Sequence, residues 1–285
     1  MTTNNLLTFR TVFLRAVAQA WTDEKFKSLL LRDAPAAMLA YFNFKWPWPN
    51  ACELKVLHSN DEFNWLHSQW VWSEALNEDL TMYAPLDPFR NSGVSVQQQA
   101  MALADYYRER PSIFGDDWGN KDNPNEPSKD NESSANVKLA SSADGGVIVG
   151  GAIGDNTPLG AGGLVPSTDD FTAFKVALLA AIAKAWHDDQ FREILQVDAN
   201  VALTSIRGYK LPWKLTLRVK DDALARWHPP GDLAHPDKHQ SYWTFHKKNL
   251  LTLYLPTKPA DVRSEPVALA VYNATGAEYP FTCTC

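Results

Sequence analysis

Cysteine is scarce and odd in number. Three in 285 residues exclude a disulfide framework as the basis of the fold. A basic surplus is missing too: a formal charge of −6 leaves nothing to neutralise a phosphate backbone, which argues against a nucleic-acid partner. No long apolar run exists. The longest weakly polar stretch, residues 145–153, is too short and too glycine-rich to cross a bilayer. No basic start followed by an apolar segment marks a secretory signal, so the chain is expected in the cytoplasm. Catalytic signatures are also wanting. There is no Gly-x-Ser-x-Gly elbow and no His-Glu-x-x-His, and the glycine-rich run over 145–163 has neither the preceding strand nor the lysine of a phosphate loop. The chain is therefore not read as an enzyme, and no cofactor is expected.

What the sequence does have is self-similarity, the first thing to look for in a chain of this length. An offset of 165 residues sets Phe9 on Phe174, Ala20-Trp21 on Ala185-Trp186, Asp23 on Asp188, Phe26 on Phe191, Leu29-Leu30 on Ile194-Leu195 and Asp33-Ala34 on Asp198-Ala199. Phe44-Lys45-Trp46-Pro47-Trp48 then meets Tyr209-Lys210-Leu211-Pro212-Trp213 without a gap. After a length change, Leu80-Thr81-Met82-Tyr83 meets Leu251-Thr252-Leu253-Tyr254. The eleven tryptophans are high for this length and are read as filling two cores rather than as stacking platforms.

Each copy carries the same pattern. Phe9, Val12, Phe13, Ala16, Val17, Ala20 and Trp21 recur at three and four, an amphipathic helix, and Phe174 to Trp186 repeats it. Asp23 or Thr22 can cap a second short helix, and Asp33-Ala34-Pro35 repeats the cap logic. The period then changes to two at Leu215, Leu217 and Val219 and again at Leu251, Leu253 and Leu255, which reads as half-buried strands. Helices followed by a small sheet give an α+β unit, present twice. The expected organisation is a first repeat over 1–90, a helical extension over 91–115, a disordered Asn/Ser/Gly-rich linker over 116–168, a second repeat over 169–262 and a flexible C-terminal segment over 263–285.

The run Ile182-Ala183-Lys184-Ala185-Trp186-His187-Asp188-Asp189-Gln190-Phe191-Arg192-Glu193-Ile194-Leu195, followed by Asp198-Ala199-Asn200-Val201-Ala202-Leu203, resembles the nitrile hydratase alpha-chain-like leader family. The first copy answers with Asp33-Ala34-Pro35-Ala36-Ala37-Met38, and Leu253-Tyr254-Leu255-Pro256 is similar as well. The likeness covers roughly 9–88 and 174–259. Members of that family are either metal-binding hydratase subunits or leaders of thiazole/oxazole-modified, bacteriocin-like peptides. The resemblance implies a packing of two small sheets face to face with helices outside, in α/β/β/α layers. For the leader group it implies a folded leader that docks on a cyclodehydratase or other leader-recognising enzyme, with a protease or exporter as further partners and secretion open to the mature product. Trp186, Phe191, Ile194 and Leu195 of the second copy are the candidate docking residues, with a core role as the alternative for each.

The ending Thr282-Cys283-Thr284-Cys285 resembles a short modifiable core. Ring closure needs a Cys, Ser or Thr side chain to attack the carbonyl of the residue before it, and thiols ionise far more readily than hydroxyls near neutral pH. Cys283 and Cys285 are therefore the main candidates, Thr282 and Thr284 the second. Two alternatives stay open: a hydratase-related protein binding metal through Cys283 and Cys285, and a non-catalytic scaffold. The hydratase claw needs a Cys-x-x-Cys-Ser-Cys run, of which only Cys283-Thr284-Cys285 is present. No other metal site is expected. Cys52 reads as a buried small hydrophobe, and His228, His235, His239 and His246 read as parts of a solvated loop.

Overall fold

Apolar faces at helical spacing pin α1 (Asn5–Thr22) and its counterpart α5 (Thr168–His187) to the interior. Phe9, Phe13, Ala16 and Val17 are fully buried, as are Phe174, Leu178 and Ala181. Each long helix turns sharply into two short ones: α2 (Glu24–Arg32) and α3 (Ala34–Phe42) in the first copy, α6 (Asp189–Val197) and α7 (Ala199–Arg207) in the second. The turns are made by aspartate caps, which satisfy amide groups that a helix start leaves without partners. Asp23 accepts from the amides of Lys25 and Phe26 at 2.9 and 3.0 Å, and Asp188 accepts from Phe191 at 2.9 Å. Asp33 and Asp198 do the same for Ala36 and Val201. The third helix of each copy ends on a left-handed residue, Asn43 in one and Gly208 in the other. These observations come from a computed structural model that describes residues 5–73, 76–90, 96–110, 168–231, 240–274 and 280–281, all within one compact unit. The expected linker over 116–168 lies outside the described residues except for its last position.

The strands are β1 (Cys52–His58), β2 (Phe63–Leu66), β3 (Gln69–Trp72), β4 (Glu78–Pro85), β5 (Leu215–Asp222), β6 (Arg226–His228), β7 (Tyr242–Thr244) and β8 (Asn249–Leu255). The α+β reading holds, and each copy is helices followed by strands. The layering does not follow the hydratase expectation. The four long strands form one sheet in the order β1-β8-β4-β5, so strands of the two copies alternate across it. β1 runs parallel to β8, from Cys52 opposite Asn249 to His58 opposite Leu255. β4 runs parallel to β5, from Glu78 opposite Leu215 to Pro85 opposite Asp222. The central pair β4–β8 is antiparallel, with Leu80 opposite Leu251. These two leucines occupy equivalent positions in the repeat, so a local two-fold axis passes between them.

The sequence explains why no second sheet is needed. On the edge strands Leu54 and Val56, or Leu217 and Val219, face the helices, whereas Glu53, Lys55, Arg218 and Lys220 are exposed. A sheet with one polar face needs helices on the other face only. Helices α2 and α3 meet β1, and α6 and α7 meet β5. The second copy thus supplies strands to the first instead of a covering layer.

Two indoles tie the exchange. Trp21 Nε1 donates to the Pro256 carbonyl at 3.0 Å, and Trp186 Nε1 donates to the Pro85 carbonyl at 2.9 Å. Each reaches the end of the other copy's last long strand. A further helix is exchanged in the same sense. α4 (Val96–Glu109) packs on the β6–β7 hairpin, where Trp243 Nε1 donates to the Ala102 carbonyl at 2.7 Å. α8 (Glu265–Ala274) packs on the β2–β3 hairpin, where Trp70 Nε1 donates to the Ala268 carbonyl at 2.8 Å. Tyr106 and Tyr272, one turn further along each helix, are buried. The repeat therefore includes Ala102-x-x-x-Tyr106 and Ala268-x-x-x-Tyr272, beyond the point where the sequence comparison stopped. Expected as a flexible segment from residue 263, the chain instead forms a 3-10 turn (Val262–Ser264) and then α8, because Ala268 and Tyr272 have a hairpin to pack on.

Candidate functional site

The segment that the sequence singles out is the end of the chain, and the structure shows what precedes it. Thr282, Cys283, Thr284 and Cys285 lie outside the described residues, but Pro280 and Phe281 do not. Phe281 is 2% exposed and belongs to the core. Its amide donates to Glu78 Oε2 at 3.1 Å, in a buried setting. Arg10 Nε donates to the Pro280 carbonyl at 2.8 Å, and a second guanidinium nitrogen reaches the same oxygen. Arg10 and Glu78 are 4% and 3% exposed, and Arg10 also lies over the Phe171 ring, 5.8 Å from its centre. Helix α1, strand β4 and helix α5 thus meet around the two residues that come just before the Thr-Cys pairs. Sequence reasoning missed Arg10 and Glu78. The signal was there: each is a charge at a position where its helix or strand pattern calls for burial.

Of the proposed docking residues, three are interior. Phe191 and Leu195 are 3% and 2% exposed, and Trp186 is 9% exposed with its indole nitrogen committed to Pro85. Their core role is the one observed, and only Ile194, at 44%, faces outward. It shares the α6–α7 corner with Val197 at 88% and Val201 at 55%. The first copy has Leu29, Arg32 and Ala36 at those positions, so the exposed apolar corner belongs to the second copy alone. At the start of α6, a cleft of about 390 Å³ is lined by Asp87, Phe89, Arg90, Gln99, Trp186, His187 and Asp189, and Arg90 pairs with Asp189 across it.

The remaining candidates are structural. Cys52 is buried, and burial pushes its thiol up to about 12, so it stays protonated and unreactive at neutral pH. His228 stacks on Tyr242 with ring centres 4.5 Å apart and shares a hydrogen bond with Thr244, and the His246 amide donates to Asp222. His235 and His239 lie outside the described residues. Among the described residues no group of three or more His, Cys, Asp or Glu side chains is placed to hold a metal ion, and no helix is long and apolar enough to cross a membrane. Among the described residues Trp21, Trp46, Trp48, Trp70, Trp186, Trp213 and Trp243 are buried, and Trp65 and Trp227 are partly buried against the same core.

Comparison with known proteins adds one match. The sequence model of a family described as a ribosomal natural product, two-chain TOMM family, fits residues 4–114 and again residues 169–280. Each fit spans one whole copy, including the exchanged helix. No curated protein matches, and no solved structure does.

Proposed function

The chain belongs to the two-chain TOMM family of ribosomal natural products, as a precursor with a duplicated domain, and from that premise we propose that its folded body is the leader and its last four residues are the modified core. The observation that carries this reading is where the family match stops. The second fit ends at residue 280, and Thr282-Cys283-Thr284-Cys285, which holds two of the sequence's three cysteines, begins two residues later. A precursor is a substrate for its modifying enzymes and not itself a catalyst. Each ring would form by attack of a side-chain Sγ or Oγ on the preceding carbonyl carbon, with the oxygen leaving as water once a nucleotide-dependent enzyme has activated that amide. Cys283 and Cys285 are the preferred nucleophiles. Co-expression with its modification enzymes should lower the intact mass by one water per ring and remove the thiols. Replacing both cysteines with alanine should abolish the thiol-dependent loss and leave the folded body intact. An unaltered mass with two titratable tail thiols would sink this reading.

In this reading the docking surface is the exposed α6–α7 corner; supporting it, Ile194 is the outward member of the expected set, with Val197 and Val201 exposed beside it. An apolar helical corner fits an enzyme groove, and it brings the enzyme to a body that already carries the tail, which raises the tail's effective concentration. Exchanging Ile194 and Val197 for aspartate should weaken binding to the modifying enzyme roughly tenfold or more, as loss of interface anchors does. It should leave the melting temperature nearly unchanged, since both side chains are exposed. Unchanged affinity would move the docking site elsewhere.

A further inference from the structure

The residues that hold the chain just before its tail form a binding site in their own right. A buried carboxylate and a buried guanidinium are costly unless they are hydrogen-bonded. Here both reach the backbone of the same dipeptide. Glu78 accepts the Phe281 amide at 3.1 Å, and Arg10 donates to the Pro280 carbonyl at 2.8 Å. The Phe281 ring is 2% exposed. Two charge-assisted contacts to backbone and one buried aromatic ring together read a short apolar peptide, with register set by the backbone groups and identity by the ring.

The repeat shows that this site is not a by-product of the fold. The counterpart of Glu78 is Asn249, which opens β8 opposite Cys52 as Glu78 opens β4 opposite Leu215. Asn249 is fully buried and accepts an amide from Tyr83, a neighbour within the sheet, at 2.9 Å. The second copy of the residue therefore serves the sheet with a neutral side chain. At the first copy the position is charged and turned to the chain's end. Arg10 likewise has a lysine counterpart, Lys175, which lies over the Tyr107 ring 5.9 Å from its centre.

Resting on the precursor reading, we propose that Arg10, Glu78 and the cavity that takes Phe281 are a docking site for the chain's own Pro280-Phe281, and that this docking fixes which tail residues a modifying enzyme can reach. An extended residue spans about 3.3 Å, so Cys283 extends at most about 7 Å past the anchor and Cys285 about 13 Å. An active site that encloses the reacting amide and excludes water needs several residues of free chain between that amide and the folded body. With Phe281 docked, the Thr284–Cys285 step is within such reach and the Phe281–Thr282 and Thr282–Cys283 steps are not. Modification then runs from the chain end inward, Cys285 before Cys283, and the second ring requires Phe281 to leave its cavity.

The test uses the full chain and two readouts. Amide exchange on the unmodified protein reports docking directly. The Phe281 amide should be protected at least roughly 100-fold relative to an unstructured chain, and Arg10→Gln and Glu78→Gln should each cut that protection at least roughly tenfold while amides in the middle of α6 keep theirs. An unprotected Phe281 amide in the parent chain overturns the docking site. A time course with the modification enzymes, followed by tandem mass spectrometry of the tail, reports the order. Cys285 should be altered first in the parent, and Arg10→Gln should speed the Cys283 step relative to the Cys285 step by at least roughly tenfold, the factor by which docking was weakened. Equal rates at both cysteines in the parent overturn the control of reach while leaving the precursor reading standing. A protected Phe281 with no modification at either cysteine overturns the precursor reading and the reach that rests on it, and leaves the docking site established by exchange alone.

Discussion

Cutting the chain once within residues 126–162 should leave two fragments that stay together. In the main sheet every neighbouring pair of strands comes from different copies: β1 with β8, β8 with β4, and β4 with β5. Neither half has a long-strand ladder of its own, only the β2–β3 or the β6–β7 hairpin, and a lone hairpin is marginal in water. Separation would strip the amides and carbonyls of all three ladders and expose Leu80, Met82, Leu251 and Leu253, all at most 2% exposed. It would also break the two tryptophan ties and lift α4 and α8 off their hairpins. Such an interface behaves as the core of an obligate dimer. A protease site placed in that stretch should therefore give a nicked protein that elutes at the intact mass at about micromolar concentration, and that separates only in denaturant. Fragments that part in native buffer, each keeping its own sheet signature in circular dichroism, would contradict the exchanged topology.

Arg110→Met should be among the most damaging single changes outside the apolar core. Arg110 follows α4, is 2% exposed, and donates to the Ala51 carbonyl at 2.8 Å and to the Lys247 carbonyl at 2.6 Å. Its guanidinium lies over the Phe245 ring, 3.9 Å from the centre. It thereby joins the start of β1 to the turn before β8. Burial lowers its pKa, opposed by the nearby Tyr106, Asp222 and Glu109. Asp222, 1% exposed, accepts the amides of His246 and Lys247 in the same turn. Methionine keeps most of the volume but removes both of these hydrogen bonds, leaving the Ala51 carbonyl with only the Asn249 amide at 2.9 Å, and it leaves a buried carboxylate without a nearby cation. Hydrogen bonds from a charged donor contribute about 1.5–3 kcal/mol each, so a loss of about 3 kcal/mol is expected, read as a lower urea midpoint at constant slope. A loss below about 1 kcal/mol would show that water or a shifted side chain replaces the guanidinium.

Local elements were legible because their causes are local. The three-and-four spacing from Phe9 to Trp21 needs no partner to read as a helix. The aspartates at 23, 33, 188 and 198 mark helix starts whatever lies nearby, since each caps amides two or three residues ahead. Leu215, Leu217 and Val219 alternate with polar residues because one sheet face is wet. The central strands blurred the same signal: Thr81 and Thr252 are also buried, so β4 and β8 do not alternate cleanly. The repeat was readable up to its strands. Its last helix was missed although Ala102-Leu103-Ala104 and Tyr106 meet Ala268-Leu269-Ala270 and Tyr272, because their offset of 166 residues differs from both the 165 of the first helices and the 171 of the last strands.

The sequence by itself determined that the chain is two α+β copies, which residues line each helix face, and where the nucleophiles of the tail stand. Those properties follow from periodicity, capping and side-chain chemistry, and each is written within a few neighbouring residues. Only the tertiary structure decided that the copies exchange strands and helices, that Trp186, Phe191 and Leu195 are interior, and that Phe281 is held by Arg10 and Glu78. A strand's alternation specifies which face is buried but not which strand lies beside it, and a buried charge declares its cost without naming its partner. Both are settled by pairings between residues as much as 270 positions apart, whose energies exist only once the chain has closed on itself.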